Sequence, residues 1–233
     1  MSVFPAVFHP YNTWLIKRHF SRVHLHRNSH APASGRTIVV MNHSTWWDPL
    51  LLLYLNQRLW NLDGRALMDR EGLDRFPFFE KVGALPVDTS TLQKTKESLA
   101  EASAVLDDEK PLFLFPQGRE VPLGAPIRIS SGAAWLKTEV PDTRIYNMTF
   151  YHGLFHQQQP EWFVYVSEIT GAPSWSRKQW TSHIQTCMQE QFHFVQDQIF
   201  SRDQADWQTV LRGAEGIGAA WENVKGLWKG AGR

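Results

Sequence analysis

The sequence predicts an α/β fold with a mostly parallel central sheet flanked by helices, and three observations carry that prediction. Short apolar or β-branched runs of strand length recur between residues 37 and 170. Stretches with helical spacing of apolar residues lie between them, the alternation expected of a parallel sheet covered by helices. Two of the strand-like runs end in turns whose side chains can do chemistry, which is where such sheets build their sites.

The first 30 residues read as a basic, aromatic N-terminal arm. Phe4, Val7, Phe8, Tyr11, Trp14, Leu15 and Ile16 precede Lys17, Arg18 and Arg22, a spacing that suits a helix on either side of Pro10. Such a segment either lies at a membrane interface or packs on the domain. His24, His26 and His30 have no regular ligand spacing, and no metal is expected. Residues 31–202 form the main domain. Thr37 to Val40 is a buried strand, and Pro49 to Leu59 is an apolar helix opened by proline. Arg65 to Met68 and Ala84 to Val87 are short strands, and Pro86 is tolerable only near an edge or end. Between them, Gly72 to Phe79 is turn-rich and aromatic, either a wall for an acyl chain or a satellite of the core. Residues 91–108 are the clearest surface helix, with Leu92, Thr95, Leu99, Ala102 and Leu106 on one face and Ser90 or Thr91 as cap. Leu112 to Phe115 is a strand, Gly132 to Lys137 a short helix, and Arg144 to Tyr151 and Trp162 to Ile169 are strands. Ile184, Met188, Gln191, Val195 and Ile199 mark a long helix. Residues 203–233 read as an amphipathic C-terminal helix through Trp207, Val210, Leu211, Ala214, Ile217, Trp221, Val224 and Trp228. Four glycines weaken it by ~1 kcal/mol each relative to alanine, so it needs a surface: the domain, a partner or a bilayer.

Chemistry concentrates in Asn42-His43-Ser44-Thr45-Trp46-Trp47-Asp48. A neutral imidazole can take a proton near neutral pH, and a carboxylate on its far nitrogen fixes the tautomer and stabilises the imidazolium. Ideal helix over the five positions between His43 and Asp48 would turn the side chains about 140° apart. They meet only if His43 lies in a turn and Asp48 at the start of the following helix, where it can also accept from the first amides. Alone, such a pair is compatible with a helix cap beside a polar turn residue. A second strand-to-turn motif, Phe113-Leu114-Phe115-Pro116-Gln117-Gly118-Arg119-Glu120, strengthens the chemical reading.

Together, Asn-His-x4-Asp after a strand and a later Phe-Pro-Gln-Gly resemble the glycerolipid acyltransferase family that includes the 1-acylglycerol-3-phosphate acyltransferases. The resemblance spans about residues 35–170 and implies a glycerol-3-phosphate acyltransferase-like fold. It also implies that His43 is the general base, that Asp48 orients it, and that the segment at Gln117, Gly118 and Arg119 helps hold the acceptor. The family has Glu then Gly-Thr where Gln117, Gly118 and Arg119 stand here. Its other motif runs from a glycine to a phosphate-binding Arg, and here Gly83-Ala84-Leu85-Pro86-Val87-Asp88 leads to Thr89. Losing a guanidinium that clamps phosphate bidentately is not conservative. Arg119 and Arg128 are the candidates to replace it; the alternative is an acceptor with no phosphate there, such as a carotenoid glycoside or another glycolipid.

The implied reaction moves a fatty acyl group from acyl-CoA or acyl-carrier protein to a lipid hydroxyl, the thioester being a co-substrate and no cofactor being needed. Backbone amides near Gly118 are the candidate oxyanion donors. A non-catalytic lipid-binding protein is the alternative from another class, and the intact His43 and Asp48 weigh against it. No Gly-x-Ser-x-Gly elbow or phosphate-cradling Gly-x4-Gly-Lys loop occurs, so serine hydrolysis and nucleotide hydrolysis are not indicated.

A chain of 233 residues fits one α/β domain with short extensions. Its single cysteine, Cys187, excludes an internal disulfide and is compatible with a reducing compartment. A net charge of +1 gives no argument for nucleic acid. The first acidic residue is Asp48, after Lys17, Arg18, Arg22, Arg27 and Arg36, so the N-terminal segment is suited to an anionic membrane surface. The 11 tryptophans suit either a headgroup interface or the core. No run approaches the ~18–20 apolar residues of a membrane span, and no secretory leader is evident. The expected location is peripheral, on the cytoplasmic side of a membrane.

Overall fold

The computed structural model describes residues 4–155, 158–201 and 205–214. The chain opens with helix α1 (Phe4–His19) and strand β1 (Arg22–His26), followed by β2 (Thr37–Met41), α2 (Asp48–Leu55) and a π-type turn at Asn56–Trp60. Next come β3 (Arg65–Asp69), α3 (Arg70–Arg75), a 3-10 segment at Pro77–Val82, and β4 (Ala84–Val87). Then follow α4 (Leu92–Asp107), β5 (Leu112–Leu114), α5 (Gly132–Glu139), β6 (Arg144–Gly153), β7 (Glu161–Ile169), α6 (Arg177–Phe200) and β8 (Trp207–Arg212).

All eight strands form one sheet in the order β4-β3-β5-β2-β6-β7-β1-β8. The five strands from β4 to β6 are mutually parallel. β7 turns antiparallel to β6, pairs in parallel with β1, and β8 closes the edge antiparallel to β1. β2 is central, and all five of its residues are buried. Alternation along it sends Val39 and Met41 to the face covered by α1 and α2, and Ile38 and Val40 to the face covered by α4, α5 and α6. A continuous apolar run is what a strand covered on both faces requires.

Several elements differ from the sequence reading. α1 runs unbroken through Pro10, because burial of Phe8, Asn12 and Ile16 on one stripe, and an Asn12 Nδ2 bond to the Leu50 carbonyl at 2.9 Å, hold it against α2. The segment expected as an arm also supplies β1, a full member of the sheet. His24 and His26 are buried there: His24 Nδ1 lies 3.2 Å from Thr209 Oγ1, and His26 Nδ1 accepts from the Asn28 amide. The C-terminal helix is corrected where it is described: Trp207, Val210 and Leu211 lie in β8, where backbone pairing with β1 overrides their helical spacing. Ile217, Trp221, Val224 and Trp228 lie outside the described residues.

Candidate active site

The Asn42–Asp48 turn leaves the carboxyl end of β2, and the Phe115–Glu120 turn leaves the carboxyl end of its parallel neighbour β5. Adjacent parallel strands ending together place both motifs in one crevice. On the other side, β6 runs on past β2, and the Asn42 side chain caps it by donating to the Phe150 carbonyl at 2.9 Å and accepting from its amide at 2.8 Å. That pair continues the ladder with a side chain and frees the backbone after Met41 to turn.

His43 is held from the segment that follows β5. Its amide donates to Gln117 Oε1 at 2.7 Å, its carbonyl accepts from the Val121 amide at 2.8 Å, and its ring stacks on Phe115 at 4.4 Å and 24°. Its Nδ1 meets Asp48 Oδ2 at 2.8 Å. Asp48 is fully buried, and the same Oδ2 accepts from the amides of Ser44 at 2.6 Å and Thr45 at 2.9 Å. The carboxylate thus turns back onto the turn instead of capping α2, which begins without a side-chain cap on Trp47. With Nδ1 donating to Asp48, the tautomer is set and Nε2 keeps its lone pair. The His43 side chain is 19% exposed, and it lines a cavity of about 510 Å³, within the usual range for small-molecule sites.

Two kinds of side chain line the cavity. Leu52, Leu53, Met68, Phe76, Phe79 and Ala84 belong to the apolar cluster packed with α2. Thr89, Lys96, Gly118, Arg119, Trp135 and Arg177 line it as well. Trp46 and Phe79 line the cavity, whereas Trp47 packs edge-on to Phe20 and Phe78 against Phe8.

Of the expected site residues, Thr89, Gly118 and Arg119 line the cavity with His43, and Gln117 acts from behind it on the His43 amide. Gly118 has φ +69°, a left-handed conformation that glycine adopts without strain. Its amide is committed to the Phe115 carbonyl at 3.0 Å, so it is not a free oxyanion donor. Thr89 Oγ1 donates to Asp69 Oδ1 at 3.3 Å. Arg128 is exposed and outside the cavity, on a strip whose neighbours Ile127 and Ile129 are bonded to Gln189 and Gln185 of α6.

Sequence reasoning missed His152, which reaches back from the extension of β6. Its Nε2 lies 3.3 Å from Ser44 Oγ, and its ring packs on Trp162 at 4.7 Å. Burial lowers its pKa, against a raising effect of the Asp48 charge. A lone histidine in a strand carries no motif; the available signal was the strand's excess length. Arg75, Lys96 and Arg177, from α3, α4 and α6, also line the cavity unforeseen.

Comparison with known proteins bears on the fold and the family. The chain is similar over 83% of its length, with a TM-score of 0.58 and 14% identity, to the crystal structure of the 1-acyl-sn-glycerophosphate (LPA) acyltransferase PlsC from Thermotoga maritima, of which it covers 78%. No curated protein matches by sequence. The model of the family described as Acyltransferase matches residues 22–159, more than half of the chain, and both motifs fall inside that span. The chain therefore belongs to the acyltransferase family.

Proposed function

We propose that the protein transfers a fatty acyl group from a thioester, acyl-CoA or acyl-carrier protein, to a hydroxyl of a lysophospholipid or glycerol-phosphate-type lipid. The observation that carries this reading is His43, hydrogen-bonded through Nδ1 to buried Asp48 while it borders a cavity lined by both apolar and cationic side chains. His43 Nε2 accepts the hydroxyl proton as the oxygen attacks the thioester carbonyl. The new C–O bond replaces the C–S bond, and the proton passes to the departing thiolate. Asp48 holds the ring and balances the imidazolium between those two transfers. A thiolate leaves readily, so the step needs no enzyme nucleophile.

The lipid acceptor suggests a membrane surface, and α1 offers a face for it. Val7, Tyr11 and Trp14 are 66%, 52% and 52% exposed along one stripe, ahead of Lys17, Arg18 and His19 in the last turn. No helix among the described residues is long and apolar enough to cross a membrane. On this reading the protein lies on the cytoplasmic surface of the bilayer.

The test is thiol release from a panel of acyl-CoAs and acyl-carrier proteins, with lysophosphatidic acid and neutral glycolipids as acceptors. Positioned general-base catalysis supplies ~10²–10⁴-fold, and His43→Ala is expected to lose about that much. Unchanged turnover in a folded His43→Ala protein overturns the mechanism. A second reading, a glycolipid or other acceptor without phosphate, is favoured by one observation: the hydroxyl of Thr89 is bonded to a carboxylate, Asp69, where the family resemblance calls for a guanidinium. Strong preference for lysophosphatidic acid over neutral acceptors removes it.

A further inference from the structure

The charged lining of the cavity is unevenly compensated. Arg65, Arg70, Lys94, Lys110 and Arg144 each lie within 4.0 Å of a carboxylate. Lys96, Arg119 and Arg177 form no such pair with any described residue, although they come from α4, the Phe115–Glu120 turn and α6 to border one cavity. Arg75, also on the cavity, lies over the Phe76 ring at 5.2 Å. Two carboxylates share this lining: Asp69, occupied by Thr89 Oγ1 and the Glu71 amide, and Glu120. Lys96, Arg119 and Arg177 are all exposed, and unpaired cations bordering one cavity give it a positive field that draws an anionic ligand. The same cavity is also lined by Leu52, Leu53, Phe76 and Phe79, so it offers surface to an acyl chain as well as to an anionic group.

We propose that Lys96, Arg119 and Arg177 form a phosphate-binding site, taking the place of the guanidinium absent at Thr89. The inference rests on the acyl-transfer reading for its substrates but not for its chemistry. Tetrahedral phosphate suits cationic donors of this kind, two of them guanidinium groups able to bind it bidentately. The phosphate belongs either to the acceptor headgroup or to the nucleotide end of acyl-CoA.

The experiment compares wild type with Lys96→Ala, Arg119→Ala and Arg177→Ala, with Lys96→Arg and Arg119→Lys as charge-retaining variants. Each alanine variant is expected to raise KM for the phosphorylated substrate about tenfold or more, the range of one lost charge-assisted hydrogen bond. The expected change in kcat is under about threefold, as for uniform binding, and the charge-retaining variants recover part of the loss. A rise for lysophosphatidic acid but not monoacylglycerol identifies the acceptor phosphate. A rise for acyl-CoA but not acyl-pantetheine identifies the donor. Equal effects on phosphorylated and phosphate-free substrates, or none on either, overturn the site while leaving acyl transfer standing. If wild type turns over no pair, the acyl-transfer reading fails, and calorimetric binding of glycerol 3-phosphate and adenosine 3′,5′-bisphosphate decides the site alone. Binding lost in the triple alanine variant supports it; binding absent from wild type, or unchanged in the variant, overturns it.

Discussion

Replacing Asp48 by asparagine separates the two tasks of that carboxylate. Oδ2 takes three donors, His43 Nδ1 at 2.8 Å and the amides of Ser44 at 2.6 Å and Thr45 at 2.9 Å. In Asp48→Asn, the single amide oxygen keeps the two backbone bonds if it takes the place of Oδ2. The NH2 group then falls where Oδ1 now lies, buried and without a hydrogen-bond partner among the described residues. An unsatisfied buried donor costs ~1–3 kcal/mol of stability. The kinetic loss is larger, because the imidazolium formed during proton transfer loses its counter-charge. Two unit charges ~4 Å apart at an effective dielectric near 20 attract by ~4 kcal/mol, equivalent at ~1.36 kcal/mol per decade to about three decades in rate. We expect kcat for thiol release to fall ~10²–10⁴-fold, with folding confirmed by urea unfolding. Combined with His43→Ala, the same substitution is expected to cost little more, because the pair acts as a unit. A folded Asp48→Asn protein within threefold of wild-type kcat would refute the assignment of Asp48 to the proton transfer.

Three further outcomes follow from neighbouring contacts. Gln117→Glu keeps an oxygen acceptor for the His43 amide and is expected to stay within about tenfold of wild-type kcat, whereas Gln117→Ala orphans that amide, now bonded at 2.7 Å, and is expected to cost ~1–3 kcal/mol in urea unfolding and to lower kcat further. Gly213→Ala would place a Cβ 1.9 Å from the Phe20 carbonyl oxygen and 2.7 Å from that of Lys17, so it is expected to destabilise the docking of β8 by ~1–3 kcal/mol; an unchanged urea midpoint would contradict the β1–β8 pairing. Burial lowers the pKa values of His9, His26 and His152 below 6.5, with Asp206 opposing at His26 and Asp48 at His152. Below that value the unfolded chain binds more protons than the folded one, so stability is full above it and declines as pH falls through it; urea midpoints between about pH 7.5 and 5 should show this, and His26→Gln should flatten the slope.

What the sequence made legible follows the range over which each signal acts. The run Thr37 to Val40 suggests a buried strand that ends in a loop at Asn42 and His43, and it lies buried on both faces at the centre of the sheet. Thr91 caps α4 as its spacing indicates, its side chain accepting from the Lys94 amide. β1 carries a strand-like alternation in Arg22-Val23-His24-Leu25-His26, but its place inside the sheet depends on distant partners: its histidines are buried by aromatic neighbours, His24 on Phe163 at 4.7 Å and His26 near Trp207 at 5.0 Å. Those contacts join residues more than a hundred positions apart, and no local periodicity encodes them. The same limit applied at the site. His43 and Asp48 are near neighbours and could be paired on paper, but His152 reaches Ser44 through strand extension, and Lys96 and Arg177 reach the cavity through helix placement. The departures from the family pattern also acquire separate meanings once placed. Gln117 supplies the oxygen that braces the His43 amide, a task that needs an acceptor and no charge. Thr89 gives up a cation and bonds to Asp69 instead. One change is therefore compatible with the proposed proton transfer, while the other alters what the cavity can hold beside it. Variation at Thr89 should accordingly shift KM among acceptors and leave the pH dependence of kcat unchanged.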